Sequence, residues 1–173
     1  MRTRWRWLGV GMSLATLACG RSDAGANAAA RTPTLPATSD CAHAACGEGY
    51  FVDALVQDGC AAAPSCRVEL KLVATGEFHV NDEYPYRFKA DALPGFEFLG
   101  TDSNGKNVFS KPAGDWTKAD AKSGVLAVKL LPATAGAETR AAATLSGVFK
   151  LSVCSSQTCL IDQPQVRAVL AAR

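Results

Sequence analysis

Three stretches of this 173-residue chain alternate apolar with polar side chains, and that period of two restricts the fold to sheets with one dry face. Val68, Leu70 and Leu72 are interleaved with Arg67, Glu69 and Lys71, and Tyr86, Phe88 and Ala90 with Arg87, Lys89 and Asp91. Leu145, Phe149, Leu151 and Val153 share a parity opposed by Thr144, Ser146, Lys150 and Ser152. Further strands are expected over residues 50–57, 96–99, 125–131 and 166–170, separated by turn signals at Leu93-Pro94-Gly95, Ser103-Asn104-Gly105 and Ala135-Gly136. Residues 115–122 are expected to form at most one helical turn, since no long apolar stripe accompanies them, and residues 100–106 to form a hairpin turn. Seven or eight short strands at this spacing predict an all-β fold, an antiparallel β-sandwich, with a partly open barrel as the alternative.

The first forty residues belong to a different regime. Arg2, Arg4 and Arg6 precede an apolar run over residues 7–18 that is too short to span a bilayer, the pattern of a signal peptide covering residues 1–18. The following Leu14-Ala15-Thr16-Leu17-Ala18-Cys19-Gly20 resembles a bacterial lipobox, although Thr16 stands where that pattern usually has leucine. The resemblance implies lipidation of Cys19 and attachment to a membrane on the periplasmic face of the cell envelope. Gly20, which is not acidic, favours the outer membrane. Residues 19–40 are rich in Ala, Gly, Ser, Thr and Pro, too poor in large apolar groups to offset their ordering entropy, and are expected to be a tether of roughly 25 Å end to end. The folded domain is expected over residues 41–173. Without the three signal arginines, 15 basic residues face 16 acidic ones, and no nucleic-acid partner is expected.

Seven cysteines divide into one single residue, Cys19, and three close pairs: Cys41 with Cys46, Cys60 with Cys66, and Cys154 with Cys159. Closely spaced pairs behind an export signal indicate disulfides in an oxidising compartment. Cys60 and Cys66 flank a loop between two expected strands, and Cys41 and Cys46 precede the first. A bridge over so small a loop contributes about 2 kcal/mol, and all three connectivities among these four structural cysteines remain open. Cys41, His43 and Cys46 could alternatively offer two thiolates and an imidazole to a soft metal. Haem attachment is not expected, since no Cys-x-x-Cys-His motif occurs, and the primary reading carries no cofactor or metal.

Cys154-Ser155-Ser156-Gln157-Thr158-Cys159 follows the apolar strand over residues 143–153 and sits in the last hairpin. Together with Leu70-Lys71-Leu72, Gly76-Glu77-Phe78-His79-Val80 and Tyr84-Pro85-Tyr86-Arg87-Phe88, it resembles the N-terminal periplasmic domain of DsbD-type thiol:disulfide interchange proteins over residues 68–170. That resemblance implies an immunoglobulin-like domain in which Cys154 and Cys159 form a catalytic redox pair. It also implies thioredoxin-like partners in the envelope, and an aromatic cap drawn from Phe78, Tyr84 and Tyr86. The spacing departs from the family's: four residues separate the cysteines, and Leu160 and Ile161 follow the second.

Other chemistry is sparse. His43 and His79 are the only histidines, no nucleophile elbow surrounds a serine, and Asp53, Asp58, Asp82 and Glu83 read as solvated turn residues. The expected function is that of a non-catalytic binding module on the envelope, meeting an unidentified envelope protein; a thiol-disulfide exchange module is the alternative.

Overall fold

The computed structural model describes residues 41–60, 64–133 and 143–170. The expected signal peptide, Cys19, the tether and the Ala135-Gly136 turn lie outside them. All described residues fall in a single unit, Pro36–Arg173. They form twelve strands: β1 (Ala45–Gly47), β2 (Tyr50–Val56), β3 (Cys66–Ala74), β4 (His79–Val80), β5 (Arg87–Ala90), β6 (Phe96–Phe98), β7 (Val108–Ser110), β8 (Trp116–Lys118), β9 (Ser123–Pro132), β10 (Ala143–Cys154), β11 (Cys159–Asp162) and β12 (Gln165–Leu170).

Two antiparallel sheets result. The first runs β1-β2-β3-β9, with β6 and β8 both paired to β9. The second is organised on β10, which pairs with β11 and β12 and also with β4 and β5, while β7 extends beyond β5. β11 and β12 hold one continuous register against β10, from Cys154 opposite Cys159 to Ala143 opposite Leu170. Gln163-Pro164 interrupts this strand because proline has no N–H to give the ladder, yet the Phe149 N–H still donates to the Pro164 carbonyl at 3.0 Å. The fold is the all-β antiparallel sandwich that the alternation predicts, with twelve strands among the described residues where seven or eight were expected.

Burial follows parity. On β3, Val68, Leu70 and Leu72 are fully buried between the sheets, and Phe88 of β5 meets Phe149 of β10 as a direct cross-strand partner. Tyr86 is fully buried as well. Its hydroxyl donates to the carbonyls of Asn81 and Ser152, both at 2.8 Å, and its ring stacks on Trp116 at 3.9 Å. A buried tyrosine hydroxyl requires such partners. Tyr50 at the start of β2 donates to Asp162 at the end of β11 at 2.5 Å, linking one sheet to the other.

Two local expectations are corrected. Residues 115–122 contain no helical turn: Trp116 is drawn onto Tyr86, which extends the chain as β8, and Asp120 then closes the turn to β9 by accepting the N–H groups of Lys122 and Ser123, both at 2.7 Å. Residues 100–106 are not a hairpin turn. β6 pairs with β9 in the first sheet and β7 with β5 in the second, so this loop crosses between sheets.

Candidate functional site

The three cysteine pairs are three local disulfides, and the open connectivity is settled as Cys41–Cys46 and Cys60–Cys66, with Cys154–Cys159 as the third. Cys60 and Cys66 lie in the core at the β2–β3 connection. Cys41–Cys46 closes the segment that leads into β1, which pairs with β2 through its backbone, and the joined sulfurs leave no thiolate for the soft-metal alternative. His43 turns instead to Asp53 at 2.6 Å and stacks on Phe51 at 4.1 Å.

Cys154 and Cys159 face each other at the tip of the β10–β11 hairpin with Cα atoms 4.0 Å apart. The next pair outward bonds Ser155 N–H to the Thr158 carbonyl at 2.8 Å, which makes the cysteines a non-hydrogen-bonded pair, the closer of the two antiparallel spacings. Both sulfurs belong to the outer face of the second sheet. Cys154 is buried and Cys159 exposed. On the other side of β10, His79 is the direct partner of Cys154.

The three cap candidates take different places. Phe78 packs over Gly49, where an added Cβ would run into the ring, so it lies against the turn between β1 and β2. Tyr86 is a core residue. Tyr84 is half-buried with its ring edge-on to Tyr86 at 5.5 Å, and burial raises its hydroxyl pKa. These packing roles account for Phe78 and Tyr86, while Cys159 stays open to solvent.

Further down the same outer face lies a feature that sequence reading missed. Arg87 of β5 is the direct partner of Lys150 on β10, and Lys89 stands two residues from Arg87 with Val148 and Val108 as its partners. With Asn104 these side chains line a groove of about 390 Å³. The β6–β7 loop forms one wall. It is held by the Gly100 N–H to Lys106 carbonyl bond at 2.7 Å and by Asp102, which accepts from Ser110 Oγ at 2.5 Å and from the Asn104 N–H at 2.9 Å. Arg87 lies 3.6 Å from the same carboxylate. The sequence carried a signal for this cluster, since Arg87, Lys89 and Lys150 all occupy the polar parity of their strands, but their pairing depends on register.

The Asp102 carboxyl is held down to about 2, first by the Ser110 hydroxyl and then by the Asn104 backbone and side-chain donors and by Arg87. A carboxyl with a depressed pKa adds stability that is complete above its ordinary 3.8 and disappears as pH falls toward 2. Denaturant midpoints recorded across that acid interval should therefore fall less steeply for Asp102→Asn than for the wild type. Parallel curves would show that Asp102 titrates alike in folded and unfolded chains.

No family model, no curated protein and no solved structure matches the chain. Among the described residues no group of three or more His, Cys, Asp or Glu side chains is placed to hold a metal ion, and no helix is long and apolar enough to cross a membrane.

Proposed function

We propose that the protein is a lipid-anchored, non-catalytic binding module of the bacterial envelope. Residues 1–18 direct export, Cys19 carries the lipid, residues 19–40 form the tether, and the sandwich presents the outer face of its β10 sheet to an envelope partner. The observation that carries the reading is the groove beside β10, where Lys89 and Lys150 are exposed and paired with no acidic side chain among the described residues. A concave surface with a few convergent polar groups is the usual form of a binding site. In this reading the three disulfides are staples, useful to a domain that must persist in an oxidising compartment.

A second reading is favoured by the placement of Cys154–Cys159, with Cys159 exposed and Cys154 opposite His79. A dithiol protein of the envelope would attack Cys159 Sγ, and the bridge would break with its electron pair on Cys154 Sγ. The partner's second thiol would then release Cys159 as it closed its own disulfide, leaving two reduced cysteines here and one disulfide there. One experiment separates the readings. Native protein is treated with a mild thioredoxin-type dithiol, alkylated and examined by mass spectrometry. The binding module predicts that all three bridges remain intact, whereas selective alkylation of Cys154 and Cys159 in a folded protein overturns the non-catalytic reading.

A further inference from the structure

We infer that the groove between β5 and β10 binds a multiply charged oxyanion, with a phosphate group as its natural occupant. The inference rests on the reading of this face as the binding surface and adds the chemical class of the ligand. Arg87 and Lys150 are direct partners on adjacent strands, and Lys89 follows on the same face. Directly opposed residues of an antiparallel pair hold their Cβ atoms about 5 Å apart, and like charges so placed disfavour the sheet. Several other lysines are met by partners: Lys106 meets Glu97 at 2.7 Å, Lys118 meets Asp82 at 2.6 Å, and Lys122 donates to the carbonyls of Gly76 and Phe78. Lys71 and Lys129 on the opposite sheet have no acidic one among the described residues, and Lys129 directly opposes Arg67, which meets Glu69 at 3.0 Å.

In the groove Lys89 and Lys150 have no acidic partner among the described residues. Asp102 is its one acid, it lies beside Arg87 alone, and its oxygens already accept from Ser110 and Asn104. Three cations against one carboxylate leave two positive charges to be met from outside. A carboxylate ligand would meet only one of them, whereas a phosphate monoester carries about −1.5 to −2 near neutral pH and meets both. Arg87 contributes planar N–H donors suited to a phosphate oxygen pair, and the two lysines contribute mobile point charges. Val108, 3% exposed, and half-buried Val148 form an apolar floor that thins the water beneath the ligand and strengthens each charge interaction. A groove of about 390 Å³ admits a phosphorylated small molecule or a lipid headgroup.

The test uses the full-length chain at low salt with pyrophosphate as the soluble probe, read by calorimetry. Saturable binding is expected, weakened about tenfold or more in Lys89→Ala/Lys150→Ala but by no more than about twofold in Lys71→Ala/Lys129→Ala on the opposite sheet. Co-sedimentation with phosphatidylglycerol vesicles, compared with phosphatidylcholine vesicles, then identifies the source. Retention on phosphatidylglycerol that the Lys89→Ala/Lys150→Ala variant loses assigns a lipid headgroup; pyrophosphate binding without such retention assigns a soluble phosphorylated ligand. The proposal is overturned if neither probe binds in a groove-dependent way, or if both double variants lose binding equally. Such a failure leaves the binding-module reading standing, because that reading falls only with selective reduction of Cys154–Cys159.

Discussion

Phe149→Ala is expected to lower the unfolding free energy by about 3–5 kcal/mol, measured by urea denaturation with the disulfides intact, the largest effect of any single truncation proposed for this domain. Phe149 sits at the middle of β10, the strand on which the second sheet is organised, and is fully buried. Its backbone is fixed on one side by the Pro164 carbonyl and on the other by pairing with Phe88. Its ring lies 6.4 Å from Trp116, which reaches in from β8 of the other sheet. The cavity left by alanine could not collapse without pulling two sheets together, so both the transfer loss and the void persist. A loss under about 1 kcal/mol would mean that the two sheets repack freely around this position, contrary to the close packing argued above.

Gly147→Val is expected to be nearly as damaging for the opposite reason, with a loss of about 3 kcal/mol or outright failure to fold. A Cβ built at Gly147 falls 2.7 Å from Phe88 Cζ and 2.8 Å from the Ala90 Cα, and it also meets the Lys89 carbonyl. Two of those obstacles are backbone atoms of β5, which cannot turn aside as a flexible side chain would. Relief requires β5 to move off β10, and that breaks the pairing that sets Arg87 against Lys150. Gly147→Ala carries the same Cβ without the branches and should show a smaller loss of the same sign in the same urea measurement. Stability equal to wild type in Gly147→Ala would show that β5 can yield at this point.

Strands that carry their own hydrophobic alternation were legible: β3, β5, β10 and β12 follow the expected parity nearly residue for residue, whereas four-residue β11, mostly exposed, carries none and was not expected. β1, β4, β7 and β8 were not, being two or three residues long, too short to display a period. Their backbone is extended by neighbours, as Trp116 is by Tyr86. The loop at residues 100–106 shows the same limit. Its Asn and Gly residues announce a turn, but whether a turn joins strands of one sheet or carries the chain to another depends on where those strands pair.

The candidate sites divide along the same line. The grouping of the cysteines into close couples was readable from spacing, but which of Cys41, Cys46, Cys60 and Cys66 join was not, and the structure decides it as two local bridges beside Cys154–Cys159. The aromatic residues near that hairpin were readable as aromatic but not as placed. Tyr86 occupies the inward parity of β5's strand direction and is taken by the core, while Phe78 is taken by the gap over Gly49.

What the sequence alone determined is therefore local: an all-β fold, the dry faces of its longer strands, and the close cysteine couples near its turns. Only the tertiary structure decided that Arg87, Lys89 and Lys150 share one groove with a single carboxylate beside them. The reason is that alternation states which face of a strand a side chain takes, whereas charge clustering needs strand order and register, and both are set by contacts between segments far apart in the chain.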